Sequence, residues 1–99
     1  MIKTFDENNF EEVFKGKALV DFYAEWCGPC KTMSRMIEDF DRAHPDILVA
    51  KVDIDRSPSL AERYGVKSIP TLAFMQDGEI EKINVGVMTM RALEEQMFG

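Results

Sequence analysis

Ala18-Leu19-Val20-Asp21-Phe22-Tyr23-Ala24-Glu25-Trp26-Cys27-Gly28-Pro29-Cys30 is the stretch that decides how the chain folds. From Ala18 to Ala24 it is apolar apart from one carboxylate, as expected of a central strand covered on both faces of a sheet. After Cys30 the pattern changes. Met33, Met36, Ile37 and Phe40 recur at helical spacing, and Pro45 stops the run near His44. Both cysteines therefore fall where a strand ends and a long helix begins.

Outward from this stretch the elements follow in order. Ile2 to Phe5 reads as a short edge strand. Asn8 with Glu11 fits a capping box, followed by Phe10, Val13 and Phe14 at helical spacing and a stop at Gly16. Ile47 to Val52 reads as a second buried strand. Ser57 caps a short helix that starts at Pro58, turns Leu60, Ala61 and Tyr64 inward and closes at Gly65. Thr71 to Met75 and Glu79 to Val85 read as strands joined by the hairpin signal Asp77-Gly78. Thr89 caps a last helix carrying Met90, Leu93 and Met97 on one side.

The order is β-α-β-α-β-α-β-β-α. Alternation in the first half implies parallel strands with right-handed crossovers, and the final hairpin adds antiparallel ones. The expected architecture is α/β: a central mixed five-stranded sheet flanked by four helices. One domain over residues 1–99 is expected, with no linker, repeat or low-complexity segment.

The net charge of −6 disfavours nucleic-acid binding, because no basic stripe is present to neutralise phosphates. No apolar run approaches the ~20 residues of a membrane span, so no membrane association is expected. The start, Met1-Ile2-Lys3-Thr4-Phe5-Asp6, has no basic region ahead of a long apolar stretch, and the expected location is cytoplasmic. In a reducing compartment two cysteines rarely serve as a structural cross-link. The loop they would close is also too short to constrain the unfolded chain much. The pair is read as present for its reactivity.

Two thiols at a helix start can close into a disulfide and reopen. Cys27, at the N-cap, gains thiolate character from the helix terminus and is the expected nucleophile. Cys30, about a turn further in, is expected to be more buried and to resolve a mixed disulfide by attacking Cys27. Gly28 lets backbone approach closely, and Pro29 lacks an N–H and pre-sets helical φ. The competing reading is half of a zinc site. Structural zinc takes about four ligands, and the chain offers two Cys and one His, with His44 at the far end of the same helix. Redox chemistry is the stronger reading, with no metal and no cofactor beyond a redox-active Cys27–Cys30 disulfide. His44 is read as a helix-end cation or a solvated side chain.

Asp21 interrupts one buried strand and Lys51 the other. A carboxylate in a central strand is costly unless paired or functional. If the strands are neighbours, the two charges meet beneath the start of the long helix. Asp21 is read as the base that takes the Cys30 proton, its pKa raised by burial, with Lys51 tuning it. The alternatives are a purely structural pair, or a Lys51 that snorkels to solvent. Pro70 is expected trans, the majority form. Trp26 is left open between an exposed recognition aromatic and core, and the spaced methionines are read as core.

These residues resemble the thioredoxin family over essentially the whole chain. Trp26-Cys27-Gly28-Pro29-Cys30-Lys31, the strand Val20 to Glu25, Val52-Asp53-Ile54-Asp55, Tyr64-Gly65-Val66, Ser68-Ile69-Pro70-Thr71, Phe74 through Glu79, and Val85-Gly86 match in order. The resemblance implies a thioredoxin fold and a protein-disulfide reductase that carries electrons from a thioredoxin reductase to oxidised proteins such as peroxiredoxin or ribonucleotide reductase, acting as a monomer. It implies that Pro70 is cis and faces the disulfide, that partner backbone pairs beside Ile69, and that Trp26, Gly28-Pro29, Ser68 to Pro70 and Val85-Gly86-Val87 form the docking surface. It also implies that Asp21 assists the inner cysteine. The absence of a histidine before Cys30 favours reduction over oxidation. A dedicated reductant for one enzyme, or a binding module that does not need its cysteines, are the alternatives. Arg35 stands where the family often has a helix-kinking proline, and Tyr23 where tryptophan is common.

Overall fold

A computed structural model describes residues 1–99 apart from the side chain of Phe14, so the reading of Phe14 as an apolar helix position lies outside the described residues. Five strands form one sheet: β1 (Ile2–Thr4), β2 (Lys17–Tyr23), β3 (Leu48–Asp53), β4 (Thr71–Gln76) and β5 (Glu79–Val85). Their spatial order is β1-β3-β2-β4-β5. β1, β3 and β2 run parallel, while β4 and β5 are antiparallel additions. This is the mixed sheet expected from the alternation of elements.

β2 is central because its sequence suits two covered faces, and Ala18 to Phe22 are all buried. One face carries α1 (Gly28–Ala43) and α3 (Met90–Phe98), with Met33, Ile37, Phe40, Leu93 and Met97 packed against Leu19, Val49 and Leu72. The other carries α2 (Pro58–Arg63) and the segment Phe10–Phe14, with Phe10, Val13 and Leu60 against Val20, Phe22 and Val52. Full burial of each large apolar side chain contributes about 1.5–3 kcal/mol.

Three of the four expected helices are α-helices. The first, Phe10–Phe14, is a five-residue 3₁₀ helix, and no capping box forms at Asn8. The local hydrogen bonds explain the difference. Asp6 Oδ1 accepts from the Asn8 N–H and Asn9 Oδ1 accepts from the Asp6 N–H, each at 2.8 Å, so these side chains build a turn rather than a cap. The hairpin signal is realised with positive φ at both Asp77 and Gly78, 50° and 87°. Thr89 caps α3 by accepting from the Ala92 N–H. Arg35 is exposed, and α1 runs unbroken past it.

Candidate active site

The site forms where β2 passes into α1. Cys27 is the N-cap of α1, and its Sγ accepts the Cys30 N–H at 3.2 Å. The sulfur thus occupies the place that a serine or aspartate oxygen usually takes at a helix start. Unpaired N–H groups and the positive end of the helix dipole there favour a thiolate. Pro29 sits in the first turn, where its missing N–H has no partner to lose. Cys27 and Cys30 are joined as a disulfide, with Cα atoms 5.2 Å apart.

The difference in burial expected between the two cysteines is small, 5% against 3% exposed. The α1 start folds back onto Tyr23, Ile54 and Ile69 and covers both. Their asymmetry lies instead in what each faces. Cys27 Sγ lies 4.0 Å from the Ile69 carbonyl oxygen. Cys30 lines a groove of about 240 Å³ together with Tyr23, Ser34 and Lys51.

The Ile69–Pro70 bond is cis, so the trans expectation drawn from the majority form was incorrect and the resemblance pointed the right way. Thr71 Oγ1 donates to the Ser68 carbonyl at 2.5 Å, and the Gly86 N–H donates to the Pro70 carbonyl at 2.8 Å. Gly86 takes φ 105° there, a backbone conformation open to glycine. These bonds bring Ile69 and Pro70 beside Val85-Gly86-Val87. Val85 and Val87 are exposed, and so is Trp26, at 71%. The alternatives left open for Trp26 therefore resolve to the surface aromatic, and its Nε1–H donates to Asp55 Oδ2 at 2.8 Å.

Asp21 is fully buried and pairs in register with Lys51 across β2 and β3, so the two interrupting charges do meet. Neither carboxyl oxygen of Asp21 has a hydrogen-bond partner among the described residues. Burial pushes the carboxyl up to about 7, against a smaller opposing effect of Lys51. Lys51 does not snorkel to solvent. Its Nζ lies 3.9 Å from Asp21 Oδ2, donates to Ser34 Oγ at 2.7 Å and stands 4.6 Å over the Tyr23 ring. Ser34, one turn beyond Cys30 on α1, was missed in the sequence. The available signal was a hydroxyl interrupting the apolar stripe between Met33 and Ile37.

His44 is remote from this site. Its ring packs between Phe40 and Phe98, and its Nε2 lies 2.7 Å from Glu94 Oε2. It joins the end of α1 to α3 and is not simply solvated. Among the described residues no three His, Cys, Asp or Glu side chains converge as metal ligands, and no helix is long and apolar enough to cross a membrane.

The thioredoxin family model matches residues 1–98. The chain belongs to the thioredoxin family. It is 40% identical over 96 residues to a thioredoxin of Bacillus subtilis (strain 168), covering 96% of this chain and 92% of that one. Against a thioredoxin of Chlamydia trachomatis serovar D the identity is 42% over 88 residues, covering 88% and 86%. Among solved structures, a mutant thioredoxin from Halobacterium salinarum superposes with a TM-score of 0.90 at 33% identity, covering 97% of this chain and 87% of that one. A second match has a TM-score of 0.87 at 31% identity, covering 97% and 92%. It comes from a structure on the thiol resolving mechanism in yeast mitochondrial 1-Cys peroxiredoxin via glutathione/thioredoxin systems. Family membership and the Cys27–Cys30 disulfide together make the chain a thiol–disulfide oxidoreductase working by dithiol/disulfide exchange.

Proposed function

We propose that the chain reduces disulfides in other proteins and carries the two electrons to them from a thioredoxin reductase. The reading rests on the Cys27 sulfur: it is the N-cap of α1 and lies 4.0 Å from the Ile69 carbonyl, beside the exposed Trp26, Val85 and Val87. An extended partner segment lying along Ile69 and Pro70 would meet that sulfur.

In the first step the Cys27 thiolate attacks one sulfur of a substrate disulfide. A mixed disulfide forms and the other substrate sulfur leaves as a thiolate. In the second, Cys30 gives its proton to Asp21 and attacks Cys27 Sγ, and the second substrate sulfur leaves. The substrate gains two electrons and the chain is left with the Cys27–Cys30 disulfide. Asp21 suits the second step because its carboxyl titrates near neutral pH in a buried place. Gly28, Pro29, Pro70 and Lys51 shape and tune the pair, and Trp26, Ile69, Pro70 and Val85 to Val87 take the partner.

The redox-active disulfide serves without a further cofactor. A peroxiredoxin is a substrate of the fitting kind, given the structural neighbour concerned with resolving a peroxiredoxin thiol. Ribonucleotide reductase is another. We place the chain in the cytoplasm as a monomer, where a reducing environment returns the pair to the dithiol. Insulin reduction driven by dithiothreitol tests the reading. Turbidity should rise well above background and should vanish when Cys27 and Cys30 are both replaced by Ser. Folded chain that gives only background turbidity would overturn it.

A further inference from the structure

A buried carboxyl and an ammonium that come within 3.9 Å usually close onto each other, because both gain from direct contact in a low-dielectric place. Here they do not. Lys51 directs a hydrogen bond to Ser34 Oγ at 2.7 Å, while both oxygens of Asp21 stay unpartnered. Three elements hold Lys51 in this arrangement: β3 carries it, the Tyr23 ring on β2 lies under its ammonium, and Ser34 on α1 accepts from it.

We propose that Ser34, one turn beyond Cys30 on α1, is a positioning residue: by accepting a hydrogen bond from Lys51 it holds the ammonium at 3.9 Å from Asp21 and leaves that carboxyl without a direct hydrogen bond. The proposal rests on the reading of Asp21 as the proton acceptor only for its consequence in turnover. A carboxylate that accepts a direct bond from an ammonium is a weaker base than one that does not. Diverting Lys51 therefore keeps Asp21 able to take a proton near neutral pH. Tyr23 completes the clamp by giving the ammonium a ring face as its second contact.

The other charged groups around this arrangement do not replace the contact. Glu25 and Lys31 line the groove, and Asp53 and Arg56 lie 3.8 Å apart in an ion pair of their own. Burial first, and then Asp53, Glu25 and Asp21, push the Tyr23 hydroxyl up, so at neutral pH it is protonated and adds no charge. Ser34 is the partner that the side chain of Lys51 bonds outside its own sheet.

The test is the titration of the Asp21 carboxyl carbon by NMR in the oxidised protein. Ser34→Ala should lower its midpoint by about one pH unit as Lys51 closes onto it. Ser34→Thr, which keeps the hydroxyl, should leave the midpoint near that of the parent. In a Lys51→Met background Ser34→Ala should no longer move it. An unchanged or raised midpoint in Ser34→Ala, or the same fall without Lys51, would overturn the proposal. The pH–rate profile of mixed-disulfide resolution separates this proposal from the reading on which its consequence rests. If the midpoint falls and the profile follows, both stand. If the midpoint falls and the profile stays, Ser34 positions Lys51 and Asp21 is not the acceptor.

Discussion

Asp21 and Lys51 face each other across the β2–β3 pair, with 3.9 Å between Oδ2 and Nζ and no hydrogen bond between them. A carboxyl in that state has its proton affinity set mainly by burial, and it ties the stability of the fold to pH.

The sign of that dependence follows from the titration. The Asp21 pKa is about 7 in the folded chain against an ordinary 3.8, so between these values the folded state binds more protons than the unfolded one. Stability therefore falls as pH rises from about 4 to about 7 and levels off above, a loss of about 4 kcal/mol over roughly three units. Asp21→Asn removes the dependence. Urea unfolding should find the variant more stable than the parent at pH 8, by several kcal/mol, with the two converging near pH 4. A difference that is constant across pH would contradict this.

In turnover the same substitution should work in the opposite direction. If Asp21 takes the Cys30 proton as proposed, resolution of the mixed disulfide at pH 7 should slow by about 10²-fold in the variant. The gap should narrow in alkaline solution, where hydroxide can take the thiol proton in place of a carboxylate. Rapid-mixing measurement of the second substrate thiol would show whether the step depends on Asp21.

The exposed ring of Trp26 makes few folding contacts beyond its bond to Asp55. Trp26→Ala should cost about 1 kcal/mol or less in stability. It should raise KM severalfold for a protein disulfide and leave a small aromatic disulfide nearly unaffected. An equal loss on both substrates would place Trp26 in the chemistry and not in docking.

Core and cap changes should separate cleanly. Phe40→Ala, in the fully buried stripe of α1, should lose about 3–5 kcal/mol in denaturant unfolding. Thr89→Ala, which removes the side-chain bond to the Ala92 N–H, should lose about 1 kcal/mol.

Much of this was legible in the sequence because local signals and the fold agree. The apolar run in β2, the stripe of α1, the Asp77-Gly78 turn and the Thr89 cap each state their structure within a few residues. The first helix misled because Asn8 and Glu11 match a cap pattern that the turn bonds of Asp6 and Asn9 outcompete. The cis bond at Pro70 was not legible from the residues, since it depends on the meeting of β4 with the loop after β5. The near-equal burial of the cysteines and the Ser34 contact depend on how α1 lies over β2 and β3, which spacing along the chain does not encode.

The proposed order of attack, Cys27 first and Cys30 second, can be read by trapping the mixed disulfide. Cys30→Ser, mixed with an oxidised protein substrate, should accumulate a covalent adduct that mass spectrometry maps to Cys27, while the parent accumulates none at equilibrium. Absence of that adduct in folded protein, or a comparable adduct at Cys30 in Cys27→Ser under the same conditions, would rule out Cys27 as the attacking thiol.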